Sequence, residues 1–236
     1  MQEPQYRALE VRALLDGVAA SGVPCMSIMN MPPLAYLRRI PGLSTDGLIQ
    51  CYTDHTVWDK FNPGKITLCS PDPQAFRPPD EPTNVLQVSL PTNFKAARFD
   101  DEADTAILRQ MQADIEAIRY DDGQCEIELP VKLKVHDSVF VPLAKWAMLL
   151  TGNYRCVQEN DMRSIREAVH SDLESSRSVY NWVCTVCREM GADAADQVPF
   201  EKYAAAANGL EKPSSAARAL LAGVPNIERA DCLVRT

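Results

Sequence analysis

The residues Met162, Ile165, Val169, Leu173, Ser176, Tyr180, Val183, Cys187 and Met190 follow one another in steps of three and four. That spacing lays one face of an α-helix against a core. At 1.5 Å per residue it predicts a single helix of about 44 Å, capped at its start by Asp161 and stopped by Gly191. With a polar opposite face and small Ser175, Ser176 and Ser178 in its middle, such a helix forms the spine of a bundle. It also offers a dimer surface.

The part of the chain before this helix has a different rhythm. Leu9, Val11, Leu14, Leu15 and Val18 keep helical spacing over residues 7–21, Gly22 stops them, and the apolar run Val23 to Met29 reads as a buried strand. Residues 46–82 are rich in Pro, Asp and Gly, with β-prone pieces at Gly47 to Tyr52 and Lys65 to Cys69; Val85 to Leu90 is a further strand candidate. Asp104 to Arg119 brings Ile107, Leu108, Met111, Ile115 and Ile118 onto one helical face, and Cys125 to Leu129 alternates as a short strand. After Pro130 the expectation is all-helical. The reading is therefore an α/β domain over 1–130 followed by an all-α domain over 131–236.

Length and composition support a sizeable core, with 236 residues and 46% apolar content. The formal charge is 24 minus 32, or -8, without a dense basic run, which argues against nucleic acid as a partner. No apolar run approaches the roughly 20 residues that span a bilayer, and the N-terminus lacks signal-peptide design, so a cytoplasmic protein with no membrane partner is expected. The cysteines are scattered as reduced cytosolic thiols are. Cys184 and Cys187 form the one Cys-x-x-Cys, but it lies within a helical pattern with no second pair, so the two read as helix-face thiols rather than a zinc or redox site. His55, His136 and His170 make no ligand cluster, no metal is expected, and no Gly-x-Ser-x-Gly elbow is present.

Three segments carry a family resemblance. Pro213-Ser214-Ser215 opens a short apolar helix that breaks at Gly223-Val224-Pro225, with Glu228 beyond; the strand Val23 to Met29 ends in Asn30-Met31; and Leu143 to Asn153 places Asn153 eight residues after Lys145. In order and spacing these resemble the ketopantoate reductases (2-dehydropantoate 2-reductases), across nearly the whole chain. The departures are Met31 where the family has Gly, Leu149 where it has a first Asn, and Glu228 one residue late. A second register aligns Trp146 with the family's Trp and puts Met148 at the lysine position. On residue chemistry alone, Ser214 and Ser215 are also an ordinary helix cap, Lys145 an exposed helix lysine, and Glu228 a first-turn carboxylate favoured by the helix dipole.

The resemblance implies part of a Rossmann-like α/β domain followed by an all-α domain like the C-terminal domain of 6-phosphogluconate dehydrogenase. It implies an NADPH-dependent (NADP) oxidoreductase acting on a small-molecule 2-keto acid, with Lys145 as acid, Glu228 orienting it and the substrate hydroxyl, Asn30 beside the nicotinamide, Asn153, Ser214 and Ser215 on the substrate, and a homodimer through the helical domain. The glycine-rich phosphate loop of such enzymes is not among the ten glycines, so this chain is expected to be part of a longer enzyme or an inactive form. The competing readings are a non-catalytic dimerisation or ligand-binding member of the fold, and an opine-dehydrogenase-like enzyme using His136-Asp137.

Overall fold

The computed structural model describes residues 3–70, 75–76, 78, 80–82, 84–85, 87–88 and 92–236. The apolar spacing of the first helix is only half used. α1 (Leu9–Ser21) turns Leu15, Val18 and Ala19 onto the core, while Leu9 and Leu14 stay exposed. Its flank is tied instead to the loop 54–60, through Arg12 to Asp54, Arg12 to Thr56 Oγ1 (3.0 Å) and Lys60 to Asp16 (2.8 Å). β1 (Cys25–Ile28) follows, and the rigid Pro32-Pro33 pair delivers the chain into α2 (Leu34–Leu37), buried throughout. Residues 47–52 are not β: a 3-10 turn over Asp46–Cys51 uses its threefold spacing to bury Leu48 and Cys51.

β2 (Ile66–Ser70) is buried along its length. The short β3 (Ala75–Phe76) and β4 (Gln87–Val88) pair antiparallel; β4 falls within the expected strand 85–90, of which Leu86, Ser89 and Leu90 lie outside the described residues. β5 (Thr92–Ala97) leads to α3 (Glu102–Ala117), whose cap Asp101 accepts from the Ala103 N–H at 2.7 Å. β6 (Arg119–Asp121) and β7 (Glu126–Glu128) make a hairpin. β8 (Val131–His136) then pairs with β5, which corrects the expectation of an all-helical run from residue 131. Val131, Leu133 and Val135 alternate with Lys132, Lys134 and His136, a period-two pattern that only a strand can bury on one side.

The main sheet has the order β1-β2-β5-β8. β1 and β2 run parallel, β5 and β8 run parallel, and β2 meets β5 antiparallel, so it is a mixed sheet in an α/β arrangement with a helical C-terminal part. α3 covers one face through Leu108 and Ile115 against Cys69, Ala96 and Leu133. The other face turns towards the helical part, and one apolar core runs from Met29 and Leu68 to Tyr180, Leu233 and Val234.

Helical winding continues from Val141 to Cys156 but changes pitch. A 3-10 turn (Val141–Ala144) leads into α4 (Lys145–Met148), a π turn (Leu149–Asn153) and a second 3-10 turn (Tyr154–Cys156). At the π turn the Tyr203 hydroxyl donates to the Met148 carbonyl at 3.2 Å. Gly152 permits that approach, since a Cβ there would collide with the same hydroxyl.

The single helix expected over 162–190 is two: α5 (Ile165–His170), with a Ser164–Glu167 capping box, and α6 (Leu173–Glu189). The break is made by Asp172, extended at φ -149°, whose side chain accepts from the Ser175 N–H at 2.9 Å. Ser176 Oγ donates to the Val169 carbonyl at 2.7 Å, which compensates for the interrupted ladder. α7 (Phe200–Ala207), α8 (Ser215–Leu221) and α9 (Ala230–Arg235) complete the fold. No described helix is long and apolar enough to cross a membrane. The cysteines are free thiols, and burial pushes Cys187 on α6 up to about 12, so it is a packing thiol rather than a reactive one.

Candidate functional site

β1 ends two residues before Asn30, and the Met29 N–H still donates to the Cys69 carbonyl at 3.3 Å, so Asn30 is held at the carboxyl edge of a parallel strand pair. Beyond it the loop is pinned where the Tyr52 hydroxyl donates to the Pro32 carbonyl at 2.6 Å. The partner of Asn30 comes from the far end of the chain. α8 stops at Gly223, whose left-handed φ of 81° only glycine adopts freely. Residues 224–229 then run without regular structure to α9, so Glu228 precedes that helix instead of lying in its first turn.

Asn30 Nδ2 donates to Glu228 Oε1 at 2.8 Å. Tyr154 closes the arrangement: its hydroxyl donates to the Glu228 carbonyl at 3.1 Å and accepts from the Ala230 N–H at 3.1 Å. The backbone from Glu228 to Ala230 is thus fixed by Tyr154, and the Glu228 side chain by Asn30. Only 3% of Glu228 is exposed.

Burial is the largest influence on Glu228 and raises its pKa; the Asn30 amide and the Met31 N–H act in the opposite sense, and nearby Glu3 adds to the rise. Tyr154 is pushed well above the ordinary tyrosine value, first by burial and then by the Glu228 charge, so its hydroxyl keeps its proton. Asn30 Oδ1 and Glu228 Oε2 are buried and have no hydrogen-bond partner among the described residues. Glu3 closes this end by accepting from the Thr53 N–H (2.9 Å) and hydroxyl (2.8 Å). A cavity of about 340 Å3 lies between Pro4, Gln5 and Arg7 and the Val224–Asn226 connection, and neither Asn30 nor Glu228 lines it.

The remaining residues singled out in the sequence fall elsewhere. Ser214 is buried; its hydroxyl donates to the Asn153 carbonyl at 2.6 Å and accepts from the Ala217 N–H at 3.2 Å as the cap of α8. Ser215 is exposed on the first turn of that helix. Lys145 is half-buried and lines a second cavity, of about 190 Å3, together with Met148, Ser70, Asn93 and Lys95. Both lysine registers therefore point to this cavity. Its lining shares no residue with the Asn30–Glu228 pair. His136 is not bonded to Asp137, whose carboxylate accepts from Arg109 at 2.7 Å.

The structure thus brings Asn30 to Glu228 and Asn153 to Ser214, and sets Lys145 apart. Tyr154 was missed in the sequence, where an aromatic after Asn153 in an apolar helix reads as core. No family model, curated protein or solved structure matches the chain.

Proposed function

We propose that the chain carries the substrate side of a nicotinamide-dependent reduction of a 2-keto acid, in the manner of the ketopantoate reductases, with the Asn30–Glu228 pair as its polar centre. The observation that supports this reading is the 2.8 Å hydrogen bond between these two residues, far apart in sequence. They are the residues the resemblance assigns to the nicotinamide side and to the substrate hydroxyl. On this reading the finer architecture is the later part of a Rossmann-like domain followed by a helical domain of the 6-phosphogluconate dehydrogenase C-terminal kind.

The residues fit the groups they would meet. Asn30 Oδ1, an acceptor without a partner, suits the carboxamide N–H of a nicotinamide, and Glu228 Oε2 suits the hydroxyl of a 2-hydroxy acid. When bound, NADPH supplies the hydride. Glu228, its pKa raised by burial, holds a proton at Oε2 closer to neutrality than an exposed carboxyl does and is placed to deliver it as the keto oxygen becomes a hydroxyl. Tyr154 positions Glu228 through its backbone.

A non-catalytic member of the same fold is the second reading, and Met31 favours it: its side chain is fully buried where the resemblance has the glycine that admits the nicotinamide ring. Calorimetric titration with ketopantoate and pantoate, with and without NADPH, separates the two. Binding that is lost in Asn30→Ala and Glu228→Ala supports the reductase reading. Absence of binding by either acid under any of these conditions overturns it.

A further inference from the structure

The second cavity has a charge character of its own. On β5 and β8, Lys95 and Lys134 are Cα partners, and Ala97 pairs with His136, so the alternation of the two strands sets Lys95, Lys134 and His136 on the face opposite α3. That face meets the Val141–Ala144 turn, beyond which Lys145 opens α4. Lys202 on α7 is near enough for its charge to act on Lys95. Lys95, Lys134 and Lys202 form no ion pair among the described residues, in contrast to Lys132, which bonds Glu128. Asp137 and Asp196 act on His136, but Asp137 is taken by Arg109 and Asp196 by the Asp193 N–H. Ser70 and Asn93 add a hydroxyl and a carboxamide to the wall, and Val141, Ala144, Met148 and Val198 close it with apolar surface.

We propose that this cavity binds a compact, doubly charged oxyanion, a phosphate group or a small dicarboxylate, between Lys95 and Lys145 with Ser70 and Asn93 as hydrogen-bond donors. Its volume of about 190 Å3 is below the range of pockets for drug-sized ligands, roughly 300–1,000 Å3, and suits an anion of a few atoms. The chain as a whole is acidic, at -8, so Lys95, Lys134 and Lys202, which form no ion pair among the described residues, are a local exception that focuses an attractive potential on anions. Burial, then Lys202 and Lys134, lowers the pKa of Lys95, and a bound dianion relieves that repulsion. The proposal does not rest on the reductase reading, since it requires no nicotinamide and no Glu228 chemistry.

The test is calorimetry and thermal unfolding of the full chain with inorganic phosphate, glycerol 3-phosphate and malonate, each against sodium chloride at matched ionic strength. Saturable binding of at least one dianion is expected, and the preferred one tells phosphate from dicarboxylate. Lys95→Gln should raise the melting temperature without anion, because a half-buried repelled charge is gone, and should weaken binding at least roughly tenfold, about 1.4 kcal/mol. Lys202→Gln, at an exposed position, should weaken it less, and Lys132→Gln should leave it unchanged. The proposal is overturned if no dianion exceeds chloride, or if Lys95→Gln and Lys202→Gln both bind as the wild type does.

Discussion

Replacing Glu228 with Gln keeps the shape of the side chain and the acceptor for Asn30 Nδ2 but removes the ionisation, which makes it a direct probe of burial. An ordinary glutamate titrates near 4.3; in the folded chain Glu228 titrates higher, because burial disfavours its charged form. Below the unfolded-state value both states hold the proton and the folded state has its full stability. As pH rises, the unfolded chain releases the proton first, so stability falls until pH passes the folded-state value and then levels off. Each unit of upward shift costs about 1.4 kcal/mol at the plateau. Glu228→Gln escapes this loss, so its stability relative to wild type should grow as pH rises above the unfolded-state value of about 4.3 and level off once pH has passed the higher folded-state value, read from urea unfolding at a series of pH values. Asp54, Glu167, Glu201 and Asp231 have lowered pKa values and the opposite slope, but they are common to both proteins and cancel in the difference. Glu228→Ala should instead cost about 1–3 kcal/mol, because it leaves the Asn30 amide without its acceptor. Parallel stability profiles for wild type and Glu228→Gln over the whole range would refute the account of a desolvated carboxyl at this position.

Tyr154→Phe removes a donor and an acceptor at once, orphaning the Glu228 carbonyl and the Ala230 N–H; a loss of about 2–3 kcal/mol is expected in chemical unfolding. Arg39, its side chain 3% exposed, donates to the Ile66 carbonyl (3.0 Å), the Arg98 carbonyl (2.7 Å) and Asp100 (3.0 Å). Arg39→Met should therefore cost roughly 3 kcal/mol or more, and Arg39→Lys should recover only part of it, since an ammonium lacks the fork geometry. Gly152→Ala should destabilise by about 1–3 kcal/mol through overpacking, although alanine is the better helix former by up to about 1 kcal/mol. Tyr203→Phe, by removing the hydroxyl that the new methyl would strike, should make the double variant more stable than Gly152→Ala alone, as a thermal-unfolding comparison would show.

Much of the fold was legible because periodicity survives in the sequence, and the misses have local causes. The strand Val131–His136 shows its alternation plainly but was absorbed into a helical expectation that began at Pro130. The stripe from Met162 to Met190 keeps its steps through the α5–α6 break because both helices press the same core; the break is encoded in the Asp172 and Ser176 side chains, which compete for backbone groups. The 3-10 turn at Asp46–Cys51 mimics a β-prone run because Leu48 and Cys51 are apolar for a different period. At the site, Asn30 and Glu228 were legible because each ends or follows a recognisable element. The role of Lys95 was not, since a lysine on a strand reads as solvent-facing until the register sets it beside Lys134.

Sheet polarity places the two centres in relation to each other. β1 and β2 run parallel, so Asn30 and Ser70 lie at the same edge; β2 and β5 run antiparallel, so Asn93 lies there too. The carboxyl edge of parallel strands is where open α/β sheets bind ligands, and here it carries a buried carboxylate at one strand and a lysine-lined cavity at the next. If these are separate sites, Lys95→Gln and Glu228→Gln should change folding stability independently and add to within about 0.5 kcal/mol in a double-mutant cycle. The expected signs make the test sensitive: each substitution removes a charge that its surroundings disfavour, so both should stabilise at neutral pH. A double variant more stable than the sum of the two single variants by more than this margin would mean that the two opposite charges support each other, so that removing one makes the other more costly. The negative carboxylate and the lysine cluster would then be one electrostatic unit, and a ligand proposed for either would have to be accommodated by both.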